Sequence, residues 1–129
     1  MSDMAAHEAL NTQETVSLIG SDKVEGTAVY GLDNNHIGSI ERVMLDKRSG
    51  KVAYAVMSFG GFLGIGADYY PLPWAKLEYN DALDGYQVDI TEAQLKGAPK
   101  YGRGDEYDWT DRESDRRIAS YYGVPPYWM

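Results

Sequence analysis

The stretch Val24–Tyr79, VEGTAVYGLDNNHIGSIERVMLDKRSGKVAYAVMSFGGFLGIGADYYPLPWAKLEY, decides how this chain folds. It is a run of short β-forming segments punctuated by glycine. Asp33-Asn34-Asn35 signals a turn, because Asn and Asp tolerate left-handed backbone angles and bond to nearby amides. A long strand is predicted from about Ile37 to Asp46, with Ile40, Arg42 and Met44 on one face and Glu41, Val43 and Leu45 on the other. Lys47-Arg48-Ser49-Gly50 closes a hairpin, with Gly50 free to take a positive φ. The return strand, Lys51 to Phe59, alternates Val52, Tyr54 and Val56 against Ala53, Ala55 and Met57. Apolar residues on both faces predict a curved sheet buried on one side and at least partly covered on the other.

Around that hairpin the pattern continues. Val24, Val29 and Leu32 begin a first strand region. Tyr69 and Tyr70 start a strand expected to stop at Pro71-Leu72-Pro73, since proline cannot donate to a ladder. Leu77 to Asn80 and Gly85 to Ile90 make a further pair. Five or six short strands at this spacing argue for a small barrel or a strongly coiled sheet. Residues 1–16 are small and polar and read as a flexible arm, with a short helix around Ala5 to Leu10. Thr91-Glu92-Ala93-Gln94 is a capping-box pattern, and Gly97 with Pro99 ends that helix. Thr110-Asp111-Arg112-Glu113 is a second such pattern, opening a helix to about Tyr122 that Gly123 terminates. Its acids come early and Arg116 and Arg117 later, as the helix dipole prefers.

Composition narrows the function. A chain of 129 residues holds one ordinary domain, and 43% apolar with 25% charged residues is a soluble, globular balance. The net charge of −8, from 20 acidic and 12 basic side chains, works against binding a phosphate backbone or anionic lipid. With no cysteine, disulfides, thiolate catalysis and Cys-based metal sites are excluded. The longest apolar runs, such as Ala53 to Met57, fall far short of the ~20 residues of a membrane span. The N-terminal segment lacks a basic stretch followed by an apolar core, so no secretory leader is expected. The expected location is cytoplasmic, without membrane insertion.

Motifs with chemistry are few. Gly61-Phe62-Leu63-Gly64-Ile65-Gly66 has GxxGxG spacing, the reverse of the dinucleotide fingerprint, and no helix follows to receive a phosphate. The loop reads as a hairpin connection whose Phe62, Leu63 and Ile65 either cap the barrel or project as a contact for another protein. Asp33, Asn35 and Gly38 match three positions of an EF-hand loop, but Ile37 and Met44 occupy its fifth and twelfth positions. Among the acids Asp105, Glu106, Asp108, Asp111, Glu113 and Asp115, placing Asp105 first puts Arg116 twelfth, so they read as a solvated helix start. The two histidines, His7 and His36, have no paired spacing, and no GxSxG elbow surrounds a serine. No catalytic residue, cofactor or metal is expected. Of eleven Tyr, three Trp and two Phe, seven fall at or after Tyr101, which points to an aromatic C-terminal segment. Tyr121, Tyr122, Tyr127 and Trp128 either pack back to enlarge a small core or form an interface.

In its order of features, the segment 20–98 resembles the PRC-barrel family, named for the cytoplasmic domain of the photosynthetic reaction-centre H subunit. Gly38 and Ile40, Asp46 with Gly50, Gly60-Gly61-Phe62-Leu63 and Pro73-Trp74 carry the resemblance. The chain looks most like the stand-alone bacterial members that share LIGSDKVEGTAVY and the FGGFLGIG loop. The resemblance implies a mainly β fold, a small PRC-type β-barrel of five or six strands with one or two short C-terminal helices. The arm would be 1–16, the barrel 17–98, and an aromatic linker, short helix and tail 99–129. Family members act by docking, at a reaction centre, on a ribosomal protein or in cell division, and share no catalytic residue. The expectation is a non-enzymatic interaction module, a homodimer that also binds a protein partner and no nucleic acid. Its candidate contact residues are Phe62, Leu63, Ile65, Tyr69, Tyr70, Tyr121, Tyr122, Tyr127 and Trp128. The alternative is a regulatory barrel that binds a small ligand or cation, including an H-subunit-like role at a membrane complex.

Overall fold

Strand β2 (His36–Leu45) and strand β3 (Val52–Phe59) form the antiparallel hairpin on which the rest of the chain assembles. In the computed structural model, which describes residues 14–60 and 66–129, side chains of Asp46 and Ser49 hold the hairpin turn. Asp46 Oδ1 accepts from the amide of Arg48 at 2.9 Å, and Gly50 adopts φ 76°. Asn34, in the preceding turn, takes φ 64°, as its side chain allows.

One sheet contains seven strands in the order β5-β6-β1-β2-β3-β4-β7. The others are β1 (Ala28–Tyr30), β4 (Asp68–Pro73), β5 (Leu77–Asn80), β6 (Gly85–Val88) and the two-residue β7 (Tyr101–Gly102). Every pairing is antiparallel except β1 with β6. The end strands β5 and β7 do not pair, so the sheet is an unclosed version of the expected small barrel. Helix α1 (Ser21–Val24) precedes β1, α2 (Glu92–Lys96) follows β6, and α3 (Arg112–Tyr122) follows β7.

Several expectations need correction. The first strand is short: Val24 lies in α1 and Leu32 is 58% exposed. In β2, Ile40 faces Met57 whereas Arg42 faces Val56, because a bulge at Glu41 inserts an extra residue and reverses the alternation. A second irregularity sets Met44 opposite Tyr54 and Leu45 opposite Val52, which brings Leu45 to the face of Tyr54. Strand β4 runs through both prolines, with Pro71 opposite Val56 and Pro73 opposite Tyr54. Two residues apart, both prolines turn their nitrogens to one side. Beyond Tyr69 that side has no β7 partner, so no ladder donor is lost.

The core lies under β3, where Ala53 to Met57 are all buried, and includes Val29, Ile40, Leu72, Val88 and Leu95. Residues beyond the hairpin complete it. Ile118 and Tyr122 of α3 are 0% and 3% exposed. Helix α2 starts with a full capping box, Thr91 with Gln94. Helix α3 does not use Thr110. Its cap is Asp111, which accepts from the amide of Glu113, while the Thr110 amide donates to Asp108. Gly123, at φ 68°, ends α3 in the left-handed conformation that glycine adopts without strain.

Candidate functional site

The apolar stripe of α3 decides what the C-terminal segment can do. Ile118, Ala119 and Tyr122 recur at helical spacing on the buried side, and the same stripe one turn earlier falls on Asp115. Asp115 is therefore carried into the protein and is only 3% exposed, the one buried charged residue among those described. It is met there by Tyr54 of β3, whose hydroxyl donates to Oδ1 at 2.8 Å. On the other oxygen the nearest cation is the Arg112 guanidinium, at 3.8 Å from Oδ2. Burial raises the Asp115 pKa above the usual carboxylate range, and the Tyr54 bond and Arg112 oppose that rise. Burial first, and then the bond to Asp115, raise the Tyr54 pKa as well.

After Gly123 the chain doubles back. Val124 donates to the Ala119 carbonyl at 3.0 Å, and Pro125-Pro126 carry the tail across Tyr54. The Tyr127 ring sits edge-on to Tyr54, 5.6 Å between centroids. Arg112 then ties the tail to the start of α3. Its Nη1 donates to the Tyr127 hydroxyl at 3.2 Å, and its guanidinium lies 4.0 Å over the Trp128 ring. A continuous set of rings leads away from this point: Trp109 against Tyr54, Tyr107 against Trp109, Tyr101 stacked on Tyr107, and Tyr69 against Tyr101.

Two hollows open on this face and share Tyr54 and Tyr127. One, about 150 Å³, lies among Leu45, Asp46, Tyr54, Trp109, Asp115 and Tyr127. The other, about 290 Å³, is lined largely by apolar groups that include Trp74, Pro125, Pro126 and Met129, with Lys51 at its side. Leu45, Tyr127 and Met129 stand at their rims, 52%, 39% and 85% exposed.

The candidate contact residues divide on this geometry. Tyr127 and Trp128 belong to the face, and Tyr69 is half-buried at the far end of the ring series. Tyr121, 42% exposed, is spent on a hydrogen bond from its hydroxyl to the Gln94 carbonyl. Tyr70 and Tyr122 were expected as contacts, but at 2% and 3% exposure they are core residues. Phe62, Leu63 and Ile65 lie outside the described residues, as does His7. His36 is exposed, its ring edge-on to Tyr30 at 5.7 Å. The EF-hand-like Asp33 spends both oxygens on Asn35. Asp105 accepts from Gly102, Asp108 from Thr110, and Glu113 pairs with Arg116. The acid expected in a solvated helix start, Asp115, is instead the buried one.

A family model of the PRC-barrel domain matches residues 18–95. The chain belongs to the PRC-barrel family. Among curated proteins no match is found. The PRC-barrel match ends before α3, so the site joins a family strand, through Tyr54, to a C-terminal segment outside the matched span. Among the described residues, no helix is long and apolar enough to cross a membrane.

Proposed function

We propose that this PRC-barrel protein is a non-catalytic cytoplasmic docking module that self-associates through the face formed by the β2–β3 hairpin end and the C-terminal tail. The observation that carries this reading is the clustering of Leu45, Tyr127 and Met129 around two adjoining hollows. Covering apolar surface is favourable by roughly 25 cal/mol per Å², so a face that gathers exposed apolar groups gains most from a partner. Its charges are mixed, with Asp46 and Lys51 lining the hollows and Arg112 against Tyr127, so a second copy meets less repulsion here than the net charge of −8 imposes elsewhere. Beyond Tyr69 the β4 edge carries Pro71 and Pro73 and is buried, which disfavours association by strand addition there.

Light scattering on a sizing column tests this with Leu45→Ser/Met129→Ser beside the unmodified chain. The expected result is a dimer for the unmodified chain and a folded, cooperatively melting monomer for the variant. A variant that kept the unmodified mass would remove the face from consideration. Deleting residues 101–129 is no substitute, because it strips Ile118 and Tyr122 from the core.

A further inference from the structure

The smaller hollow is lined by the buried Asp115 carboxylate. Asp115 Oδ1 takes the Tyr54 hydroxyl, whereas the cation nearest Oδ2, Arg112, stands at 3.8 Å, beyond hydrogen-bond length. That guanidinium is engaged elsewhere, with the Tyr127 hydroxyl and the Trp128 ring. A carboxylate withdrawn from water to 3% exposure, with one hydrogen bond and a long ion pair to Arg112, is stabilised by a further cation beside it.

The walls of the hollow say which kind. Tyr54, Trp109 and Tyr127 supply three aromatic rings, and Met44 and Leu45 add apolar surface. A metal ion needs several oxygen or nitrogen ligands, and no group of three or more His, Asp or Glu converges among the described residues. A weakly hydrated organic cation is suited by aromatic rings beside a carboxylate. The volume, about 150 Å³, admits a headgroup of a few heavy atoms and is too small for a nucleotide.

We propose that this hollow binds a small quaternary ammonium ion, its charge towards Asp115 and its methyl groups against Tyr54, Trp109 and Tyr127. The site is complete within one copy of the chain.

The test is calorimetric titration of the full chain with choline, with its uncharged carbon isostere 3,3-dimethylbutan-1-ol, and with phosphatidylcholine vesicles. The site requires saturable one-to-one binding of choline, with the isostere weaker by roughly tenfold or more. Asp115→Asn, which retains an acceptor for Tyr54, is expected to lower choline affinity by a similar factor and to leave the isostere unchanged. Tyr127→Leu alters a ring already 39% exposed and is expected to weaken choline binding without unfolding the chain. Equal binding of choline and the isostere, full choline affinity in either folded variant, binding to vesicles alone, or no saturable binding would each overturn the site.

Discussion

Replacing Tyr54 by Phe isolates one buried contact between the barrel and its C-terminal segment. The ring and its packing on Trp109 and Tyr127 remain, so the substitution removes only the hydroxyl that bonds Asp115 at 2.8 Å. A hydrogen bond to a charged group contributes about 1.5–3 kcal/mol net, and stranding a buried carboxylate adds to that loss. Against this, the adjoining hollow of about 150 Å³ has room for a water that restores part of the bond. The loss is therefore expected in the lower half of that range, about 2 kcal/mol, or roughly 6–10 °C in Tm for a chain of this size. Urea unfolding followed by Trp fluorescence measures it. The companion variants Asp115→Leu and Tyr54→Phe/Asp115→Leu close a double-mutant cycle, and the pair removed together is expected to cost much less than the sum of the single losses. A Tyr54→Phe midpoint within about 0.5 kcal/mol of the unmodified protein would refute the claim that this hydroxyl sustains the buried acid.

Three further outcomes follow from particular groups. Burial raises the Asp115 pKa, so this group's contribution to stability is fully present below the unfolded pKa, about 3.9, and is lost as pH rises through the folded value. Asp115→Asn is thus expected to gain stability relative to the unmodified chain as pH rises from about 3.5 to 7, read from melting curves across that range. Gly38→Ala would set a Cβ 2.9 Å from the Met57 Cγ and Sδ and against the Ser58 carbonyl, and is expected to cost about 3 kcal/mol in denaturant unfolding. Thr91→Ala removes the hydroxyl that caps the Gln94 amide at 3.1 Å, with an expected loss of about 1 kcal/mol by the same assay.

The hairpin was legible in the sequence because its signals are local. Asp46 and Gly50 define the turn, Thr91 with Gln94 caps α2, and Gly123 ends α3, each through bonds within a few residues. What escaped depends on partners distant in sequence. Whether prolines interrupt β4 depends on whether that side has a neighbour, and β7 arrives only at Tyr101. The bulge at Glu41, which reverses the alternation of β2 from Arg42 to Met44, carries no glycine to mark it. Tyr70 and Tyr122 look like contact residues until the sheet and α3 are packed together. Asp115 was hidden in a run of acids, yet a signal existed: extending the stripe of Ile118, Ala119 and Tyr122 back by one turn reaches it. The tail aromatics could not be assigned to core or interface from sequence, and in the structure Tyr127 and Trp128 pack on Tyr54 and Arg112 while Tyr127 stays 39% exposed.

The most direct measurement of the proposed docking face is amide hydrogen exchange on the full chain at a low and a high protein concentration. Self-association through this face requires added protection at high concentration in peptides covering 42–54 and 123–129, with β5 (Leu77–Asn80) unchanged. Protection that is the same at both concentrations, or that rises along β5 while the tail exchanges as before, would contradict it.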